Sequence, residues 1–193
     1  MQKVEGIILK TSSFEESAHI LHVLSKEFGL VSLVAKAYSS KLQRSYSPLL
    51  KIEAVVVQSE KELWKCKELV ITQSYPSLRM SLDAIRLATH LIQEIYQIIP
   101  RRYAVETIYT LLDEHLSAFS TACSPYIIAS SFLLKFFYLE GILAKIPTDS
   151  MEENSFFQRI FESPIEDLYC WEGTLESSKN MFRKITKNAK EGT

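Results

Sequence analysis

The apolar pattern of this chain changes period once, near residue 77, and that change limits the fold more than any other feature. Before it, short stretches rich in Val, Ile and Leu alternate with polar turns. After it, apolar residues recur at helical spacing. The expectation is a two-domain α+β chain, with a small β-barrel at residues 1–77 and an all-α helical domain at 78–193.

The β part reads as five strands, at 4–10, 20–24, 30–35, 49–58 and 63–74, with residues 11–17 as a polar turn. Gly29 suits the corner between the second and third, where a positive φ is needed. Pro48 precedes the fourth strand and Pro76 closes the region. Five strands in about 75 residues without an interspersed long helix fit a small closed barrel. The length makes an OB-fold the natural candidate, although the pattern alone also fits an SH3-like barrel.

The helical part opens with a periodic stretch at 78–99, ended by Pro100, and a second at 105–119. Ser124-Pro125 reads as an N-cap with Pro in the first turn of a helix at 126–140, and Gly141 as its stop. That helix is apolar nearly all round, the signature of a helix buried at the centre of a bundle. Residues 147–155 read as a polar loop, followed by two weaker helical stretches at 156–161 and 175–185. The basic residues of 183–193 read as a frayed tail.

Charge narrows the function. The formal net charge of the 193-residue chain is -1, so it is not a basic nucleic-acid binder as a whole. Residues 1–80 hold 11 Lys and Arg against 8 Asp and Glu, whereas 81–193 hold 11 against 15. Clustered charge matters more for phosphate than net charge. Residues 36–51 hold such a cluster: Lys36, Tyr38, Lys41, Arg44, Tyr46 and Lys51, with no acidic residue among them. Lys and Arg neutralise phosphates, and aromatic rings stack bases without sequence preference. The same residues also fit a polar loop whose Tyr rings cover the barrel edge. Lys135 stands inside the most apolar helix; it must snorkel, pair with a neighbour such as Glu140, or face a groove able to hold a carboxylate-bearing peptide. Arg183, Lys184, Lys187 and Lys190 can add phosphate contacts or form a solvated tail.

Other chemistry lacks its motifs. Cys66, Cys123 and Cys170 are odd in number and far apart, as expected of reduced thiols, and His19, His22, His90 and His115 are scattered, so no metal site is implied. There is no phosphate-cradling GxxxxGK[ST] or GxGxxG loop and no GxSxG elbow. The chain reads as a non-enzyme with no cofactor and no small-molecule substrate. With no apolar run long enough for a signal peptide or a membrane span, the expected location is the cytoplasm.

Several stations along the chain resemble the RecO family of bacterial recombination mediators. They are Glu5-Gly6-Ile7-Ile8-Leu9-Lys10; Phe14 and Glu16; Gly29; Ala35-Lys36; Lys41 and Arg44; Pro48; Glu68-Leu69; and Leu78-Arg79 with Leu82. Further along come Leu91-Ile92-Gln93-Glu94-Ile95 before Pro100, Leu111-Leu112, and Leu133-Leu134-Lys135-Phe136-Phe137 before Gly141. Many members carry four cysteines after the glycine that matches Gly141. This chain has none of the four, with Cys170 standing alone, is shorter than is typical, and has Ala18 where Asp is frequent. The resemblance implies an N-terminal OB-fold joined to a helical domain, binding of single- and double-stranded DNA, and strand annealing. It also implies a bacterial, nucleoid-associated role in DNA repair and recombination, in the RecF pathway, with RecR and the single-stranded DNA-binding protein as partners in loading RecA. Lys36, Lys41 and Arg44 match the family's basic OB-face segment. Lys135 matches a basic position in the helical domain, which in the family holds the acidic tail of the single-stranded DNA-binding protein. A rival reading from another class is an interaction adaptor of the same architecture without DNA binding of its own.

Overall fold

The computed structural model describes residues 1–15, 18–36, 46–58, 63–76, 78–101, 105–119, 124–142, 151–170 and 175–191. They form two compact units. One holds Met1–Tyr75 with Ile92–Thr110, the other Pro76–Leu91 with Leu111–Thr193.

The first unit is built on a closed barrel of five strands: β1 (Gln2–Phe14), β2 (Ala18–Ser25), β3 (Gly29–Lys36), β4 (Lys51–Val57) and β5 (Leu63–Gln73). Their order around the barrel is β1-β2-β3-β5-β4, with β4 returning to β1. All pairings are antiparallel except β3 with β5, which runs parallel from Ser32–Leu63 to Val34–Lys65. That closed order with one parallel contact separates the OB-type barrel from the SH3-like alternative. β4 alternates buried and half-buried residues without a break, with Ile52, Ala54 and Val56 pointing inward. They meet Val4, Ile8, Val23, Leu33 and Trp64, and Trp64 takes an edge-on contact from Phe28 at 5.3 Å. Gly29 makes the β2–β3 corner with φ of 67°, as its place in the sequence requires.

Two features of β1 depart from the sequence expectation. The strand continues to Phe14, so most of the expected turn at 11–17 is strand, held by pairing from Thr11–Leu21 to Phe14–Ala18. It also carries a bulge between Ile8 and Lys10. Ile7, Ile8 and Leu9 are all buried, which simple alternation cannot produce. Ile7 and its neighbours Leu24 and Leu30 lie on the outer face, where the chain at 92–110 packs. There Arg101 bridges to Leu30, and Tyr109 reaches Glu5.

The second unit centres on α3 (Pro125–Leu139), with Phe132, Phe136 and Phe137 buried and the first two rings stacked at 5.6 Å. The expected stop is a Schellman turn. Gly141 has φ of 70°, Ile142 N–H donates to the Phe137 carbonyl, and Gly141 N–H donates to that of Tyr138. Among the described residues no atom would crowd a Cβ at Gly141, and its positive φ is what asks for glycine there. Pro125 opens the helix as expected, but the Ser124 side chain makes no capping hydrogen bond. α1 (Leu82–Ile98) is capped instead in the standard way, by Ser81 Oγ accepting from Ala84 N–H at 3.3 Å. α2 (Glu106–Ala118) follows, and α1 and α2 each run from one unit into the other.

Two further expectations are corrected. α4 (Met151–Glu162) begins inside the expected polar loop, because its inward residues Phe157 and Ile160 are buried against the unit. α5 (Leu175–Glu191) continues through the expected frayed tail, anchored by Met181 and Ile185 with their polar neighbours outward. Among the described residues no helix is long and apolar enough to cross a membrane.

Candidate nucleic-acid interface

The 36–51 segment leaves the barrel at the end of β3 and returns along β1. Lys36 is the last residue of β3, exposed, and paired with Ala18, which pairs in turn with Phe14. The return is fixed by main-chain contacts. Thr11 Oγ1 donates to the Tyr46 carbonyl, Leu49 N–H donates to the Ile8 carbonyl at 2.9 Å, and Ile8 N–H donates to that of Leu50. The end at Lys36 is thus held by β2 and the end at Tyr46–Leu50 by β1. Tyr38, Lys41 and Arg44 lie outside the described residues.

Tyr46 is half-buried. It packs against the barrel core and meets the His19 ring edge-on at 6.3 Å. Burial pushes its hydroxyl pKa up, with Cys66 adding to the effect. Lys51 stands elsewhere. Its partner on β1 is Ile7, seven residues from Phe14, so it sits about 20 Å along the strand from the Lys36 row. Its ammonium pairs with Glu5 at 3.2 Å and lies 5.6 Å from the centre of the Tyr109 ring. The structure thus brings Lys36 and Tyr46 toward the Phe14 end of β1 and leaves Lys51 beside its middle.

The Glu5 cluster was not legible in the sequence, because its parts are 104 residues apart. Tyr109 donates to Glu5 at 2.7 Å, and this bond holds the carboxyl below its ordinary value, with Lys51 acting in the same direction. Burial and the charged acceptor push the Tyr109 hydroxyl the other way, so it stays a donor. Tyr109→Phe is expected to return the Glu5 pKa toward the ordinary carboxylate range. A carboxyl-detected NMR titration reads this directly. The stabilisation from this carboxylate is present above the unfolded-state value near 4.5 and is lost as pH falls through the lower folded value, so the variant should narrow that acid-side loss. An unmoved Glu5 titration would show that the hydroxyl is not its main partner.

Lys135 lies in the second unit. Its ammonium donates to the Ser163 carbonyl at 2.9 Å, one residue past the end of α4, where a cation also meets the negative end of the helix dipole. Burial lowers its pKa, while Glu114 acts to raise it. Its neighbour His115 is fully buried. Nδ1 lies 2.7 Å from the Leu111 carbonyl, which only an N–H can satisfy, so Nε2 is left to accept from Ser131 Oγ at 3.3 Å. Burial lowers this ring's pKa to about 3, with the Lys135 charge adding to the effect. Cys66, a free thiol, is pushed up by burial to about 11, the state of a packed thiol and not of a nucleophile. Among the described residues no three His, Cys, Asp or Glu side chains gather as metal ligands would.

The barrel coincides with a known sequence family. The family model described as "Recombination protein O N terminal" matches residues 1–75, which take in all five strands. Seven curated relatives match as well, each named DNA repair protein RecO. The first 75 residues thus match the RecO N-terminal family, and the chain is similar to RecO proteins of several bacteria. The RecO of Caldicellulosiruptor saccharolyticus is 25% identical over 167 residues, covering 83% of this chain and 67% of the relative. That of an Exiguobacterium species is 23% identical over 146 residues, covering 74% and 58%. That of Nostoc punctiforme is 27% identical over 117 residues, covering 59% and 39%. The chain therefore spans between about two fifths and two thirds of the length of these relatives. Two of the residues that carried the resemblance now have physical reasons. Glu5 anchors Tyr109 and Lys51, and Gly6 lies where β1 and β2 approach too closely for a side chain.

Proposed function

We propose that this chain is a non-enzymatic mediator of DNA repair and homologous recombination. The barrel binds single- and double-stranded DNA without sequence preference and promotes annealing of complementary strands. The helical unit receives protein partners, RecR and the acidic tail of the single-stranded DNA-binding protein, and the whole helps load the recombinase at coated gaps. One observation carries the reading: a closed OB-type barrel, matching the RecO N-terminal family, has exposed Lys36 at the end of β3 and its chain tied back to β1 where Thr11 meets Tyr46. An OB barrel offers a curved face along which a strand can lie, with cations for phosphates and rings for bases.

Charge reversal at Lys41 and Arg44 tests it. The double variant Lys41→Glu with Arg44→Glu is expected to lose affinity for all oligonucleotide sequences alike, and the log-log salt dependence should become less steep by about 1.4. Annealing of complementary strands should slow in parallel. Unchanged affinity would remove the segment from the interface. The adaptor reading keeps one observation in its favour. Lys3, Lys26 and Lys51 each pair with a carboxylate of the same unit, which reduces the positive field of the barrel. It predicts partner binding with no salt-dependent DNA affinity.

A further inference from the structure

A second group of cations gathers on the outer face of β1, β2 and β3. The bulge after Ile8 sets its register. Lys10 pairs with His22, and His22 pairs with Ser32, so the three stand side by side in one row across three strands. His22 Nδ1 and Ser32 Oγ are 3.0 Å apart. Tyr96, from the end of α1, covers the row. Its ring meets that of His22 edge-on at 5.2 Å, and the Lys10 ammonium lies 5.2 Å from its centre. Arg101 arrives beside the row through its bridge to Leu30, two residues from Ser32 on β3. Lys10 and Arg101 are both exposed. All these residues belong to one compact unit.

The charges that act on the His22 ring are those of Arg101 and Lys10, both cationic, and burial works in the same direction to keep the ring neutral. Lys10 and Arg101 thus set two positive charges around one imidazole, a setting that attracts an anion. A tetrahedral phosphodiester matches the set. It takes charge from Lys10 and Arg101 and a hydrogen bond from His22 Nε2–H when Nδ1 accepts from Ser32 Oγ, while the Tyr96 ring can lie against a base or sugar. The row stands on the same outer face as Lys36, four residues along β1, or about 13 Å, from the Lys36–Ala18–Phe14 row.

We propose that Lys10, His22, Tyr96 and Arg101 form a second phosphodiester-binding site of the barrel, which extends the path of a nucleic-acid strand beyond the Lys36 end. The proposal rests on the reading of the barrel as a DNA-binding unit. It makes the upper part of α1 and the chain around Arg101 part of the nucleic-acid surface, although both lie outside the five strands.

The test pairs binding with a local probe. A labelled oligothymidylate is titrated into the full chain and into Lys10→Glu with Arg101→Glu, while histidine ring resonances are followed by long-range nitrogen–proton NMR in the unaltered chain. The expected result is about a tenfold weaker affinity in the double variant, with a salt dependence less steep by about 1.4, and movement of the His22 resonances on adding oligonucleotide. If the oligonucleotide binds but leaves His22 in place, the second site is overturned and the DNA-binding reading stands. If the unaltered chain binds no oligonucleotide at low salt, both fall. The NMR arm is independent of the variant, so misfolding of the double variant does not mask the outcome.

Discussion

Gly6→Ala is expected to destabilise the barrel by about 1–3 kcal/mol, and Gly6→Val to prevent β1 and β2 from closing. A Cβ at this position would sit 2.7 Å from the Leu24 carbonyl oxygen and would overlap Val23 Cγ1. The Val23 side chain can turn only into a packed core, and the Leu24 carbonyl is main chain that cannot yield cheaply. Gly6 is held from both sides, opposite Ser25 on β2 and Ile52 on β4, so the strand cannot slide away from the clash. Denaturant unfolding followed by circular dichroism checks this. A midpoint for Gly6→Ala equal to that of the unaltered chain would contradict the close approach of the two strands.

The second large effect is acid sensitivity of the helical unit through His115. Its folded-state pKa is lowered to about 3 from an ordinary 6.5, chiefly by burial. The unfolded chain therefore takes up a proton before the folded one can. The stability associated with the neutral ring is whole above about 6.5 and drains away as pH falls toward 3, at about 1.4 kcal/mol per pH unit. Between pH 7 and pH 5 the loss is about 2 kcal/mol. His115→Gln removes the titration, so its stability should be lower at neutral pH but nearly flat over this range. Thermal or denaturant unfolding at several pH values reads the slope. Equal slopes in both proteins would show that His115 is not the group that titrates.

Much of the fold was legible because its causes are local. Ile52, Ala54 and Val56 alternate cleanly, and the Gly29 corner and the Gly141 stop follow from backbone conformation that glycine alone adopts easily. Where the reading missed, a distant partner decided the outcome. The strand through Thr11 to Phe14 looks like a turn until β2 is laid beside it. The helix at Met151–Glu162 looks like a loop until Phe157 and Ile160 find their burial. The run Ile7-Ile8-Leu9 did carry a signal: three consecutive buried residues in one strand require a bulge or a covered outer face, and the structure has both.

The candidate site divides in the same way. Lys36 was legible as a cation at a strand end, and its exposure agrees with that. Lys51 is near it in sequence, yet β4 begins beside Ile7 in the middle of β1, where Glu5 engages the ammonium. The Lys135 ammonium, grouped with partner binding, sits at the end of α4 against a main-chain carbonyl that no sequence pattern links to it. Lys10, His22 and Arg101 drew no notice as a set, because a bulge and a bridge between residues 30 and 101 assemble them.

The central claim is that the barrel holds nucleic acid through its charge. Fluorescence anisotropy of a labelled single-stranded oligonucleotide, titrated with the full chain at low and at near-physiological salt, tests it most directly. The account predicts binding at low salt that weakens steeply as salt rises and is indifferent to sequence. Absence of binding at low salt would contradict it and leave the adaptor reading in its place.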